Sequence, residues 1–582
     1  MRRIIPILAY FLFCCFHFTN AQSWEWLEQA GGIKSDKGTT IAVDNEGNIF
    51  FTGYYNEEAD FGPWNTGFSF TQSKETFIAK MDPQGNFLWV RNGINYFDDR
   101  GLGLCVDPQG NVYVTGTCWG GLEWGSLNVY NPSSYTDQIY VTKLDTDGNE
   151  IWMKNAGVEP GSGWYNDDHG QDIISDSQGN LFVTGFLSNN DATPNVAYFD
   201  ALQVPLEAND SVAYLAKLSN DGNWQWVETF DGIHGYRDNA IGIDDEDNLY
   251  VAGGFKGTST FGTTTLTSDD NSLDIFVAKY NNDGSFQFVV QVGDSLDDRA
   301  DQICYGNDGH MYVTGEFRHK VYFGTDDLNN YGGPEDKDIF VAKLTKDGVW
   351  AWATKAGSTK GGDRGIGICA NDNGNIFVSG QYRGEAKFGS IDVDAGPDST
   401  QLFVAMINPQ GKWQWVLEGG GPRHDRAASI DVDGCDLFVT GFYKESMVTD
   451  TSMLSLTSFG GNDIFIGKIV DACEGMSPPP PPPGPEDEDE VFNFQHTNVF
   501  SPNGDGKNDL LYFCKECNVN GQVIVLNRWG NTVFESNNLS QPWDGNSPAG
   551  QPVQDGTYFY HIDVQYKNGK TEAKDGFISL VR

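Results

Sequence analysis

Beyond residue 18 the chain has no apolar run approaching the roughly 20 residues that a membrane-spanning helix needs, so no spanning helix is expected. Positive charge is also scarce: 37 Lys and Arg stand against 81 Asp and Glu, a formal net charge of −44. A surface of that sign opposes binding to nucleic acid and to anionic membranes, and it suits an exported protein kept soluble by its own charge. Catalytic signatures are missing as well. There is no HExxH, no GxSxG, no P-loop and no dinucleotide fingerprint after a strand, which removes the enzyme classes that depend on them.

Cysteine is sparse, ten in all, with Cys14 and Cys15 in the first apolar stretch. Cys105, Cys304 and Cys369 hold one equivalent strand position and read as small core residues rather than as a disulfide framework. Cys514 and Cys517 form a lone CxxC with no second pair, so a local disulfide is preferred there to zinc. The pairing of Cys473 is left open.

What is abundant is Gly, 70 residues, and aromatic side chains, 13%. With charged residues at only 20%, this composition favours many short strands and turns, an all-β class. Residues 1–21, with Arg2 and Arg3, an apolar run and Thr19 and Ala21 before the cut, read as a removed signal peptide. Its loss takes the charge to about −46.

One decapeptide recurs. "DNEGNIFFTG" and "DPQGNVYVTG" are followed by five further copies, the seven ending at Gly53, Gly116, Gly185, Gly253, Gly315, Gly380 and Gly441. Each copy carries four strand-type runs, a to d, with tight Asx-Gly turns between a and b and between c and d. A period of 61 to 69 residues built only of strands predicts one propeller blade per copy. From a fixed strand-c position, Lys in five copies and Met406 in the sixth, to the aromatic of strand d is nine residues in every copy but the last, as in Lys80 to Trp89 and Lys343 to Trp352. Lys468 has no such partner, and "SWEWLEQAGG" from Ser23 supplies the missing run. The expected fold is a seven-bladed β-propeller over residues 22–472, closed by the N-terminal strand. Over that span the chain resembles the secreted bacterial seven-bladed propeller repeat family, which implies a fold more than an activity.

Residues 473–492, with six prolines and an acidic run, read as a linker. In residues 493–582, "NVFSPNGDGKNDLL", "VIVLNRWGNTVFE", "WDG" and "DGTYFYHIDV" resemble the gliding-motility-associated C-terminal sorting domain of the type IX secretion system. The motif positions are Asn503, Gly504, Asp505, Gly506, Asn508 and Asp509; Asn527, Arg528, Trp529 and Gly530; Trp543, Asp544 and Gly545; and Asp555, Gly556, Thr557 and Tyr558. The resemblance implies a small β-sandwich that carries the chain across the outer membrane, for release or for retention at the cell surface. Asn503, Asp505 and Asp509 offer oxygens at calcium-like spacing but lack the distal Glu of a full loop, so neither a metal nor any other cofactor is expected.

Two features on the face formed by the d–a and b–c connections point to a ligand. Both connections around blade three are long: Trp152 to Gly185 is 33 residues and Gly185 to Lys217 is 32, where other copies use 26 to 28. This nominates Trp164 and Tyr165 as stacking platforms, with Asp167, Asp168 and His169 as polar contacts. The second is a ring at the start of strand a: Lys37, Arg100, His169, Arg237, Arg299, Arg364 and Arg426, six of them directly after an Asp. Such a ring could hold a carboxylate or sulfate, although its presence in every copy favours Asp–Arg pairs fastening blade to blade. The expected function is a non-enzymatic adhesion or binding protein, secreted or at the cell surface. Its partners would be a polysaccharide or a surface protein through the propeller and the type IX machinery through the C-terminal domain. A polysaccharide hydrolase or lyase and a structural envelope spacer are the alternatives.

Overall fold

The computed structural model describes residues 22–67, 73–95, 97–129, 136–158, 166–230, 239–269, 272–396, 399–450, 453–473, 499–502, 510–513, 520–565 and 571–582. The chain divides into two units, Met1–Gly475 and Met476–Arg582, and residues 1–21, the expected signal peptide, lie outside the described residues.

The repeated decapeptides become the second strand of seven four-stranded antiparallel blades. The first strands are Lys37–Val43, Asp99–Val106, His169–Ser175, Ala240–Ile243, Arg299–Gly306, Arg364–Ala370 and Arg426–Asp433. Blade one continues with Ile49–Asn56, Lys74–Met81 and Phe87–Asn92, paired in that order. In blade seven the fourth strand is Ser23–Gly31, which pairs with Ser455–Val470 in the register Trp26↔Lys468. The nine-residue spacing is thereby explained: Lys80↔Trp89, Lys217↔Trp226 and Lys343↔Trp352 are direct cross-strand partners on either side of a tight turn.

Those two side chains grip the next blade. The ring of Trp89 lies under the c–d turn at Gly148 and its Nε1 donates to the Thr146 carbonyl at 3.2 Å. Lys80 Nζ donates to the same carbonyl at 3.0 Å. Trp152 Nε1 donates to the Asn220 carbonyl at 3.0 Å and Lys143 Nζ to the Asn220 Oδ1, and Trp352 donates to the Pro409 carbonyl at 3.1 Å. The turn residue is Gly because it sits at positive φ, 77° at Gly411, where a Cβ would also meet the Trp352 ring at 2.9 Å.

The b–c connections are short hairpins, and in blades one, three, six and seven they pair with the last strand of the preceding blade. Glu385–Phe388 and Ile391–Asp394 form one, and its first strand pairs with the last strand of blade five at Ala356↔Phe388. The long connection of blade three is the same device enlarged: Asn195–Phe199 and Leu202–Leu206 pair with each other, and the former docks on Glu150–Val158 of blade two. Phe199, Val204 and Leu206 are buried there. This half of the blade-three insertion therefore covers an exposed sheet edge instead of forming a free recognition loop.

A disulfide joins Cys435 to Cys473, tying the end of the propeller to the a–b turn of its own last blade. Cys105, Cys304 and Cys369 are free thiols, while Cys514 and Cys517 lie outside the described residues.

In the second unit a five-stranded sheet runs Val499–Phe500, Thr571–Leu580, Gly556–Gln565, Asn520–Leu526 and Thr532–Ser536. One face is covered by Leu511, Phe513, Leu539 and Trp543, which pack on Val523, Val525, Tyr560, Ile562 and Ile578. Trp543 is fully buried, whereas Trp529 is 71% exposed at its turn.

Candidate functional site at the channel mouth

The seven first strands enclose a cavity of about 260 Å³, to which every one of them contributes. Six of these strands carry a β-bulge at the same place, between Gly38 and Thr40, Gly101 and Gly103, Gly170 and Asp172, Ala300 and Gln302, Gly365 and Gly367, and Ala427 and Ser429. A bulge leaves one residue unpaired and re-aims its side chain. The bulged residues, Thr39, Leu102, Gln171, Asp301, Ile366 and Ala428, all line the cavity, as does Asn239 at the matching position of blade four. These seven side chains are all different, on a frame that is otherwise nearly uniform. Sequence reasoning missed them; the available signal was a variable position two residues beyond each basic residue.

The Asp residues of the expected Asp–Arg pairs do something else. Asp168 accepts from the amides of Val158 in blade two and Ser188 in blade three, at 2.7 and 2.9 Å. Asp363 does the same with Ser358 and Arg383, Asp298 with Asp294 and Arg318, Asp36 with Gly32 and Asn56, and Asp425 with Gly421 and Lys444. Asp99 accepts from the Trp119 amide. Asp36, Asp168, Asp298, Asp363 and Asp425 thus lock one blade to the next through backbone N–H groups and not through the adjacent basic residue. Burial dominates and raises their pKa values, to about 6 for Asp36 and Asp363, about 7 for Asp425 and about 8 for Asp298.

The basic ring divides into unlike sectors. Arg364 forks onto Asp301 through Nε at 2.8 Å and through Nη2, and Arg299 lies 3.4 Å from Asp301 and 3.2 Å from Glu316, so blades five and six carry their own counter-charge. His169 is buried and bonded through Nε2 to Asp167 Oδ1 at 2.6 Å. It does not line the cavity, nor does Asp168. Arg237, Trp164 and Tyr165 lie outside the described residues.

Around blades seven and one the cavity is lined by aromatic as well as basic side chains. Lys37 and Arg426 line the cavity together with Phe442 and Tyr54. Lys37 pairs across its blade with Tyr54, and Arg426 with Phe442. Lys37 Nζ also stands 4.3 Å from the centre of the Phe442 ring of the preceding blade, and the Arg100 guanidinium 5.8 Å from Tyr54. The rim therefore alternates cation and aromatic. Burial and then the charges of Arg426, Lys74 and Arg100 lower the Lys37 pKa, so an incoming anion would relieve repulsion already present.

Two cavity carboxyls are committed to structure. Asp301 holds the arginines, and Asp172, raised to about 6 by burial, accepts from the amides of Ile241 and Ile173.

Residues 494–580 match the family model described as the CHU_C type IX secretion signal domain. The chain is 21% identical to an uncharacterised WD repeat-containing protein of Acanthamoeba polyphaga mimivirus, over 75% of this chain and 32% of that protein. It is 24% identical to the regulatory protein FlaEY of Caulobacter vibrioides, over 46% of this chain and 29% of that one. The chain thus spans about a third of the length of these curated relatives. Among solved structures it resembles a puromycin hydrolase, with a TM-score of 0.38 and 11% identity over 73% of this chain and 54% of the other.

Proposed function

We infer that, with a type IX secretion signal at residues 494–580, the protein is secreted or held at the cell surface and is handled by that machinery. Among the described residues no helix is long and apolar enough to cross a membrane. We propose that its propeller is a non-enzymatic binding or adhesion module for an acidic polysaccharide. A carboxylate or sulfate would be received by Lys37 and Arg426, and sugar faces would stack on Tyr54 and Phe442. The observation that carries this reading is the alternation of cation and aromatic at the cavity mouth of a chain whose net charge is −44. Cations select the anionic group, aromatic faces suit the apolar side of a sugar ring, and the seven bulged side chains set the fit.

The alternative of a hydrolase or lyase draws on Asp172 and Asp301 in the same cavity, but the partners of both carboxyls argue for structural roles. The test incubates the purified chain with acidic and neutral polysaccharides, recording binding and released sugar ends in the same wells. Binding of the acidic glycans without turnover is expected. New reducing ends or unsaturated sugars would install the enzymatic reading, and binding to none would favour the envelope spacer.

A further inference from the structure

The ring closes between blade seven and blade one, and two buried carboxyls meet there. Gly31 ends the closing strand Ser23–Gly31. A Cβ placed on it would lie 2.8 Å from Asp463 Oδ1 and 2.9 Å from Asp36 Oδ2, so the two side chains converge on one point. Asp36 immediately precedes the first strand of blade one, and Asp463 lies in the third strand of blade seven, Ser455–Val470.

Their bonding is unequal. Asp36 accepts from two backbone amides, Gly32 at 2.6 Å and Asn56 at 2.8 Å. Asp463 Oδ2 accepts from the Phe459 amide, but its Oδ1 is buried without a hydrogen-bond partner, as is the Tyr443 hydroxyl of the facing strand. An unpaired carboxylate is costly in such a place, and protonation removes that cost. Two other junctions fill the position differently. Beside Gly157 and Gly420, the equivalent glycines, the junction carboxyls Asp168 and Asp425 face Gln138 and Gln401. A Cβ on Gly420 would lie 2.9 Å from Asp425 Oδ2 and 3.1 Å from Gln401 Oε1, which is the closure geometry with an amide in place of the second acid. Glutamine is neutral at every pH, whereas Asp463 is neutral only while it carries a proton.

From this juxtaposition we propose that Asp36 and Asp463 form a proton-sharing clasp: a proton held on Asp463 keeps the ring closure tight, and its loss sets two like charges beside Gly31 and loosens the closing strand. Among the described residues no cation pairs with either carboxyl. Lys34 is engaged by Glu57 at 3.4 Å and Lys37 stands 4.3 Å from the centre of the Phe442 ring. Asp60, opposite Gly31 on the adjoining hairpin, is exposed. Tyr55 and Tyr443 are held neutral, their pKa values raised first by burial. Burial first, and the Asp36 charge in addition, raise Asp463 to about 7. An unfolded Asp titrates near ~3.9, so the clasp contributes fully below that value and is lost as pH rises through about 7. The clasp is separate from the channel mouth and does not depend on the polysaccharide reading.

The experiment compares urea unfolding of the full chain with that of Asp463→Gln, at pH 5 and at pH 8. The variant installs the residue that the chain itself carries at Gln138 and Gln401. It should gain on the parent as pH rises, the ratio of the two unfolding constants shifting by at least about tenfold between the two conditions. Asp60→Asn removes an exposed carboxyl from the adjoining hairpin and should leave its own ratio to the parent unchanged. A ratio that is constant with pH for Asp463→Gln, a shift that favours the parent at pH 8, or an equal shift in Asp60→Asn would each overturn the clasp. Should Asp463→Gln not fold, Asp463→Asn takes its place with the same expectation.

Discussion

The junction carboxyls set how the propeller responds to pH. Asp298 is the clearest: folded, its pKa is raised to about 8 by burial, whereas an unfolded Asp titrates near ~3.9. Below both values the contribution is fully present. As pH rises between them the unfolded chain releases a proton that the folded chain retains, so stability falls until the folded group itself ionises. Asp36, Asp363 and Asp425 act in the same direction, with values of about 6 to 7. The propeller should therefore be more stable toward urea at pH 5 than at pH 8, and Asp298→Asn should flatten that slope. A steeper loss at low pH would contradict the assignment. At this scale the sequence was legible in part. The Asp before each basic residue was visible as a repeat, but its partners are backbone amides about 20 residues onward, which no side-chain pattern reveals. The bulges that aim Thr39 or Ile366 inward are a register event, equally hidden until the strands pair.

Between elements, the Lys and aromatic of strands c and d were readable as a fixed spacing, and their use follows from geometry: both reach the c–d turn of the following blade. Trp352→Ala removes a ring stacked on Gly411 and a hydrogen bond to Pro409, and should cost about 3 kcal/mol of unfolding free energy. Gly411→Ala strains the same contact from the other side. The blade-three connection shows the limit of length as a clue. Its extra residues form an edge-covering hairpin on blade two, so mutations such as Val204→Ala should lower stability by about 1–3 kcal/mol while leaving glycan binding unchanged. The Cys435–Cys473 link was not legible because its halves lie 38 residues apart in sequence and meet only once blade seven has formed. Replacing both cysteines with serine should cost about 2–4 kcal/mol, measured by denaturant unfolding.

For the whole molecule, closure by Ser23–Gly31 was the prediction with the widest consequence, and the pairing with Ser455–Val470 bears it out. Removing residues 22–31 should expose the edge of the Ser455–Val470 strand and turn a single cooperative thermal transition into a broad, aggregation-prone one. Deleting residues 493–582 should leave the propeller in the periplasm, as judged by fractionation; unchanged surface display would remove the export role of that unit. The ligand-bearing sector was only half visible. A ring of seven basic positions could be counted, but its division into arginines already neutralised by Asp301 and Glu316 and a sector facing Phe442 and Tyr54 depends on which side chains the closed ring brings together.

The most direct measurement is the affinity of the parent chain and of Lys37→Gln for one acidic polysaccharide, at low and high salt. The account predicts binding that weakens with salt and falls about tenfold in the variant, with the thermal midpoint unchanged. Equal affinity of the two proteins, or equal binding to a neutral glycan, would contradict it.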